Sequence, residues 1–256
     1  RHAMSEIDIS QLINQFKRDG FVVLKRQISP AVCQEIGNTL SRAVEVISAQ
    51  SSRDITNRWY LTHRTDSGVL YDVYERFPEA RKAAEVPGVT AFLKSYFNRS
   101  VYLYVNSYLY KPADKDNEVP WHQDFLNRPN ETEKVLAWVS LDSATQENGC
   151  LQVIPGSHKR GFRKWFHVEG ATHHDRIVLD KNEEINKVFV ETEPGDIVLF
   201  SNYLIHSSAQ NSSDLPRRAL RFVYKALDDD ALPRGSMIMI HTESEDFYTA
   251  VPLPRN

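Results

Sequence analysis

Residues 188–207 of the chain read VFVETEPGDIVLFSNYLIHS, and this stretch decides the class of fold. Short runs of β-branched and aromatic residues alternate with turn residues, and the pair Pro194-Gly195 separates two of the runs. Val, Ile, Phe and Tyr are enriched in strands, whereas Pro and Gly are depleted there. The stretch therefore predicts several short strands joined by tight turns.

The same texture extends over most of the second half of the chain. The predicted strands are 101–110, 135–141, 150–154, 188–192, 196–200, 203–207 and 219–226. Because no helical stretch long enough for a parallel crossover separates them, the sheets are expected to be mainly antiparallel. The pattern predicts a barrel or sandwich of the kind found in jelly rolls and cupins.

Two helices are predicted ahead of most of these strands. Apolar residues recur at helical spacing over 8–19, and Gly20 follows as a helix terminator. A strand is predicted over 21–25, and Ser29 with Pro30 then predicts the start of a longer amphipathic helix. The fold class predicted from the sequence is thus mainly β with flanking α-helices.

A single domain is predicted over 1–256, since a chain of this length can form one large β-rich core. Residues 1–100 are expected to form a helical amino-terminal support, 101–226 the β core, and 227–256 a carboxy-terminal extension. Residues 156–187 form a long insertion with weak periodicity, and long connections of this kind are often lids or binding loops.

Composition argues against several functional classes. The chain has 31 Lys and Arg residues against 34 Asp and Glu residues, for a net charge of −3, so it lacks the basic surplus of a nucleic-acid-binding protein. No apolar run approaches the roughly 18 residues of a membrane span. Its two cysteines, Cys33 and Cys150, suggest neither a disulfide framework nor a thiolate zinc site. No apolar targeting segment follows Met4, and a cytoplasmic protein without nucleic-acid or membrane partners is expected.

A candidate metal site is formed by two separated segments. His122 and Asp124 lie two positions apart, and on an extended backbone both side chains would project to the same face. His206, at the end of the stretch quoted above, is available as a third ligand. Two imidazoles and one carboxylate on one face of an octahedral ion are typical of non-haem iron(II) oxygenases, which use the three open positions for co-substrate and O₂.

A second histidine and carboxylate cluster competes with this interpretation. It consists of His173, His174 and Asp175. His122 precedes His206 by 84 residues, which leaves room for several strands, whereas His173 precedes it by 33. We therefore interpret the second cluster as loop residues that could contact substrate. His158 is interpreted as a hydrogen-bonded turn residue rather than a ligand.

The motifs together resemble the phytanoyl-CoA dioxygenase family, which includes the ectoine hydroxylases. The matching segments are Tyr110-Lys111-Pro112, Trp121 to Asp124, Ala137-Trp138, Asn148 to His158, and Pro194-Gly195-Asp196 through His206 to Arg217. They cover roughly residues 100–225, and their joint occurrence in order is far more specific than any one of them. The amino-terminal Asp19 to Leu24 also looks like the helix and strand at the family's entry.

The resemblance implies a double-stranded β-helix that binds iron(II) and 2-oxoglutarate and reacts with O₂, releasing succinate and CO₂. It also implies an arginine eleven residues after the second histidine that pairs with the distal carboxylate of 2-oxoglutarate, which is Arg217 here. Ser107, Trp138 and Ser208 match family positions that line the co-substrate. The metal ligands implied are again His122, Asp124 and His206.

Periodicity alone does not choose among the arginines of the last strand. Alternation places Arg217 and Arg221 on one face and Arg218 on the other, and either face could be the interior. The family spacing chooses Arg217. Arg221 lies four residues, or roughly 13 Å, further along the strand, which is far for binding the same carboxylate.

The sequence favours an oxygenase over three alternatives. Halogenases of similar fold lack the carboxylate supplied here by Asp124, so hydroxylation or a related oxidation is expected rather than chlorination. A non-redox cupin-like binding protein should lack a ligand or the arginine, and a metal-dependent hydrolase would leave Arg217 unexplained. The expected substrate is a small metabolite, amino acid derivative or natural-product intermediate. Residues 57–64, Arg128 and Trp165 are possible substrate contacts, with a solvated loop as the alternative for 57–64.

Overall fold

Helices dominate the described part of the first hundred residues. The computed structural model describes residues 6–49, 69–113, 118–171, 175–228 and 238–243. Its helices are α1 (Glu6–Asp19), α2 (Pro30–Ala49), α3 (Val73–Arg76), α4 (Pro78–Ala84), α5 (Pro87–Phe97) and α6 (Lys181–Glu184). The helices predicted over 8–19 and from Pro30 are thereby confirmed.

Most of the strands are short, as the spacing of turn residues predicts, but β3 and β12 have 11 and 10 residues. They are β1 (Phe21–Leu24), β2 (Val69–Tyr71), β3 (Val101–Lys111), β4 (Val119–His122), β5 (Lys134–Ser140), β6 (Leu151–Val153), β7 (Trp165–His167), β8 (Asp175–Ile177), β9 (Val188–Val190), β10 (Ile197–Ser201), β11 (His206–Ser208), β12 (Arg217–Ala226) and β13 (Ile238–His241).

Two antiparallel sheets form the body of the protein. The larger has the order β1-β10-β5-β12-β3-β13, with β2 also paired to β3, and the smaller has the order β4-β11-β6-β9. A separate hairpin pairs β7 with β8. The register pairs of the described strands are all antiparallel. The predicted mainly β, antiparallel fold with flanking helices is confirmed.

The larger sheet buries both of its faces, and alternation along β12 shows how. Leu220 and Phe222 belong to a core shared with the helices, among them Phe16 of α1. Ala219 and Val223, on the other face, belong to a core that includes residues of the smaller sheet. One face of β12 thus looks toward the helices and the other toward the space between the sheets.

The Pro194-Gly195 turn is held against the segment between β1 and α2. Gly195 has φ +92°, and a Cβ there would lie 1.9 Å from the carbonyl oxygen of Ile28. Only glycine fits a positive φ combined with so close an approach of backbone. The turn is therefore fixed by packing as well as by its own residues.

Several boundaries differ from the sequence predictions. The strand predicted over 203–207 has the wrong residue range. The backbone turns after β10, and the N–H of Leu204 donates to Ser201 O at 2.9 Å. The strand there is β11, which begins at His206. The larger sheet also extends beyond the predicted core, since β1, β2 and β13 all join it. No helix within the described ranges is long and apolar enough to cross a membrane.

Candidate metal centre and its pocket

His122 and His206 face each other across two neighbouring strands. They are register partners at the ends of β4 and β11, and their ring centroids are 4.2 Å apart. Each Nδ1 lies 2.8 Å from the carbonyl oxygen two residues earlier, that of Pro120 or Leu204. Because a carbonyl only accepts, Nδ1 carries the proton and Nε2 keeps its lone pair. This is the arrangement that orients histidine ligands toward a metal.

Asp124 joins the two histidines by a route that the extended-strand argument did not predict. β4 ends at His122, and Asp124 lies in the turn that follows, where Phe125 has φ 63°. The N–H of Asp124 donates to Asn202 O at 3.1 Å, and Asn202 Nδ2 donates to Asp124 O at 3.2 Å. Asn202 is itself buried and therefore fixes the backbone of this turn.

The three side chains converge on one point. Asp124 Oδ1 lies 3.5 Å from His122 Nε2, and Asp124 Oδ2 lies 3.3 Å from His206 Nε2. The possible ligand atoms all lie within 4.8 Å of one another. Asp124 Oδ2 is buried and makes no hydrogen bond of good geometry with the described residues. A divalent metal fits this donor set and would satisfy that oxygen.

Electrostatics keep His122 and Asp124 in the protonation states that metal binding needs. Burial lowers the pKa of His122, and His206 beside it lowers it further, so its imidazole stays neutral. Burial would raise the pKa of Asp124, but the guanidinium of Arg221 and the neighbouring histidines hold that pKa well below its ordinary value. A neutral imidazole and an ionised carboxylate are metal-binding forms.

The pocket beside this centre has a volume of about 280 Å³ and lies between the two sheets. The smaller sheet contributes His122, His206 and Ser208. The larger contributes Ser107 from β3, Trp138 from β5, and Arg217 and Arg221 from β12. All seven site residues predicted from the sequence therefore line one pocket.

One end of the pocket is suited to an anion. Arg217 is 5% exposed, its Nη1 donates to Gly149 O at 2.6 Å, and its guanidinium carbon lies 5.1 Å from the Trp138 ring centroid. Lys111, its register partner on β3, is also buried and donates from Nζ to Ser208 Oγ at 2.7 Å. Two buried cations side by side favour a bound anion. Lys111 is part of a motif quoted above, but nothing in the sequence predicted that it lies buried beside Arg217.

The structure decides between the two faces of β12. Arg218 points toward the helices, where Nε and Nη2 bind Asp142 at 2.9 Å each and Nη1 binds Asn38 of α2. Arg217 and Arg221 point into the pocket. Arg221 Nη2 lies 3.5 Å from Asp124 Oδ1, so it contacts a residue of the metal centre that the spacing argument did not connect with it.

Gln123, between two of the candidate ligands, was also not singled out from the sequence. Its side chain is 2% exposed and donates from Nε2 to Gly161 O at 2.8 Å and to Tyr203 O at 2.6 Å. Its Oε1 accepts from the N–H of Arg163 at 2.8 Å. Gln123 thus joins the metal-binding segment to the 156–187 insertion and to the turn before His206.

The remaining sequence predictions have mixed outcomes. His158 lies in a single 3₁₀ turn, Ser157–Arg160, and its Nε2 lies 2.9 Å from Lys17 O, so it is a hydrogen-bonded turn residue as predicted. Asp175 is not a loop residue, because it begins β8 and lines the pocket. Arg128 donates to Tyr104 Oη and Glu131 rather than lining the pocket. Trp165 is 41% exposed on β7. Residues 57–64, His173 and His174 lie outside the described residues.

A family model describes most of this architecture. Residues 16–219 match the model of phytanoyl-CoA dioxygenase (PhyH). The chain belongs to the phytanoyl-CoA dioxygenase family. The resemblance found in the sequence is confirmed, and the class of enzyme expected from it, a 2-oxoglutarate-dependent non-haem iron dioxygenase, is that of the family.

Individual relatives agree with this membership. The peroxisomal phytanoyl-CoA dioxygenase of Bos taurus is 27% identical over 222 residues, which cover 80% of this chain and 65% of that protein. The chain thus spans about two thirds of the length of that relative. Among solved structures, the apo non-haem monooxygenase ThoJ has a TM-score of 0.75 at 18% identity, covering 93% of this chain and 94% of its own.

A third comparison bears on the predicted double-stranded β-helix. The EctD structure from S. alaskensis, described with 2-oxoglutarate and 5-hydroxyectoine, has a TM-score of 0.65 at 24% identity, covering 88% of this chain and 77% of its own. The cupin-like jelly-roll fold predicted for this chain is therefore confirmed.

Proposed function

We propose that this protein is an iron(II)- and 2-oxoglutarate-dependent dioxygenase that hydroxylates an unactivated C–H bond of a small molecule. One observation carries the proposal. A two-histidine, one-carboxylate centre and a buried guanidinium line the same pocket, at the spacing typical of the family. A metal-dependent hydrolase would leave the buried guanidinium without a function, and a non-redox binding protein would be expected to lack a metal ligand or the arginine.

His122, Asp124 and His206 would hold the metal on one face of its coordination sphere. When bound, iron(II) with 2-oxoglutarate and O₂ supplies the oxidant for the C–H bond, and succinate and CO₂ are released. The protein positions these groups and protects the reaction from water. The carbonyls of Pro120 and Leu204 keep the Nε2 lone pairs of the two imidazoles directed at the metal.

Arg217 would hold the distal carboxylate of 2-oxoglutarate. A guanidinium matches a carboxylate through two parallel hydrogen bonds, and stacking on Trp138 limits its rotation. Ser208 Oγ accepts from Lys111, so the serine keeps its own hydrogen to donate to the same carboxylate. Lys111 thereby supplies a second positive charge behind the serine.

Asp124 favours hydroxylation over halogenation. Its carboxylate would hold the metal where a halide would otherwise bind, and Asn202 fixes the Asp124 backbone. The pocket, about 280 Å³, has to hold 2-oxoglutarate as well, which limits the substrate to a small metabolite, an amino acid derivative or a natural-product intermediate. The EctD structure, described with 2-oxoglutarate and 5-hydroxyectoine, supports the proposed co-substrate and a small substrate.

The test is a screen of small metabolites for substrate-dependent succinate formation with iron(II), 2-oxoglutarate and O₂. Mass spectrometry with ¹⁸O₂ then follows the product. We expect one labelled oxygen atom in the product of an active substrate. Chlorinated product formed in excess chloride, or succinate formation that persists in His206→Ala, would contradict the proposal.

A further inference from the structure

Arg221 stands in a polar row that crosses the floor of the pocket. Its register partners are Ser107 on β3 and Trp138 on β5, and Ser107 in turn pairs with Tyr71 on β2. Directly opposed residues of antiparallel strands project from the same face of a sheet. Tyr71, Ser107, Arg221 and Trp138 all line the pocket. A phenol, a hydroxyl and a guanidinium thus stand on adjacent strands, facing the pocket.

The guanidinium of Arg221 has N–H donors that Asp124 does not engage at full hydrogen-bond strength. Its 3.5 Å approach to Asp124 Oδ1 is longer than the roughly 2.7–2.9 Å of a charge-assisted hydrogen bond. Its guanidinium carbon lies 5.5 Å from the ring centroid of Phe125, which limits the directions it can take. Next to it, Ser107 Oγ is buried and has no hydrogen-bond partner among the described residues. A buried hydroxyl of this kind needs a partner.

This end of the pocket is distinct from the end proposed for 2-oxoglutarate. Arg217 lies opposite Lys111 in the strand register, near Ser208, whereas Arg221 lies beside Asp124. The two arginines are four residues apart on one strand, or about 13 Å along the backbone. A five-carbon co-substrate held by Arg217 would reach the metal, and Arg221, beside Asp124, would remain available to a substrate.

Charge also favours an anion there. Three cations, Arg217, Arg221 and the Lys111 ammonium behind Ser208, stand against the two carboxylates of the pocket, those of Asp124 and Asp175. A divalent metal and a 2-oxoglutarate dianion together add no net charge. One positive charge therefore remains, and an unbalanced charge in a partly desolvated pocket is costly.

We propose that Arg221 and Ser107 bind an oxyanion of the substrate, such as a carboxylate, phosphonate or phosphate, with Tyr71 beside them. The inference rests on the proposed function, since it takes the metal and 2-oxoglutarate sites as described. It assigns the Ser107 hydroxyl to the substrate rather than to the co-substrate. It also explains why a cation stands against a metal-binding carboxylate: Arg221 anchors the substrate beside the metal.

The test measures binding without turnover. Protein loaded with Zn²⁺ and saturating 2-oxoglutarate is titrated by calorimetry with methylphosphonate and, as a neutral probe of similar shape, with its dimethyl ester. The unmodified protein is expected to bind methylphosphonate at least tenfold more tightly than the ester. Arg221→Gln should abolish that preference, Arg221→Lys should retain part of it, and Ser107→Ala should weaken anion binding by a smaller factor. Arg218→Gln, on the same strand but the opposite face, should leave the preference unchanged.

Two further readouts make failure interpretable. Titrations of Zn²⁺ and of 2-oxoglutarate into each variant report the metal and co-substrate sites separately. Normal binding of both, together with an anion preference that is absent or survives Arg221→Gln, would overturn this inference alone. A loss of Zn²⁺ affinity in Arg221→Gln with an intact anion preference would make Arg221 a positioning residue for Asp124 and would also overturn it. Failure of the unmodified protein to bind 2-oxoglutarate would overturn the proposed function instead.

Discussion

Replacing Arg217 by glutamine should weaken 2-oxoglutarate binding strongly while leaving the metal centre intact. The guanidinium is 5% exposed and stacks on Trp138, so its bonds to a carboxylate would form in a largely desolvated place. A hydrogen bond to a charged group contributes about 1.5–3 kcal/mol. Loss of one such bond corresponds to an affinity about ten- to a hundredfold lower, and loss of both to more.

The matched control is Arg218→Gln, one residue further along β12. Its guanidinium binds Asp142 and Asn38 on the helical side of the sheet and does not line the pocket. We expect this variant to lose about 1–2 kcal/mol of stability and to melt a few degrees lower, because a partly buried ion pair is broken. Its affinity for 2-oxoglutarate should stay within about twofold.

The assay is anaerobic titration of 2-oxoglutarate into iron(II)-loaded protein, followed by the weak visible charge-transfer band of the chelate. Iron(II) affinity is measured separately for each variant. A dissociation constant that rises in Arg218→Gln and stays constant in Arg217→Gln would refute the assignment. So would an Arg217→Gln variant that binds 2-oxoglutarate normally and melts at the unmodified temperature.

Three other predictions follow from the described contacts. His206→Ala removes a ligand atom and should abolish the visible band at iron(II) concentrations that saturate the unmodified protein; an unchanged band would remove His206 from the metal centre. Gln123→Ala removes three hydrogen bonds to partly buried backbone groups and should lower the free energy of unfolding in urea by about 2 kcal/mol, whereas a change below about 0.5 kcal/mol would show that water replaces the amide. Burial raises the pKa of both Cys33 and Cys150 to about 11, so at pH 8 only about one thiol in a thousand is ionised and iodoacetamide should modify them only after unfolding; rapid modification of native protein would contradict their burial.

The metal centre is the part of the site that the sequence predicts best. His122 and Asp124 are close in the chain, and His206 ends a recognisable β-rich stretch, so residue types and spacing are enough to bring them together. The backbone path that brings Asp124 to the centre was not predicted. Asp124 reaches the centre through a turn in which Phe125 has a positive φ. Positive φ is uncommon outside glycine, so neither Phe125 nor Leu126 predicts such a turn.

The misplaced strand over 203–207 has a simple physical reason. Leu204 and Ile205 are fully buried, and β propensity largely reflects a fit to buried, pleated surfaces. The apolar residues therefore predicted burial correctly, but a strand was predicted over residues that are buried in a turn. Arg221 shows a second limit of prediction from sequence. Alternation predicts which face of the sheet a residue lies on, but not that the register places Ser107 and Trp138 beside Arg221.

The placement of the site between the two sheets links ligand binding to the stability of the whole fold. The two histidines belong to the smaller sheet and both arginines to the larger, so a molecule that contacts both groups is bound only while the sheets are packed together. Any ligand that binds only the folded state raises the free energy of unfolding, by about 2.7 kcal/mol at a hundred times its dissociation constant. Metal and co-substrate would then act as thermodynamic links between the layers, and a cell poor in iron would hold a less stable form of the protein.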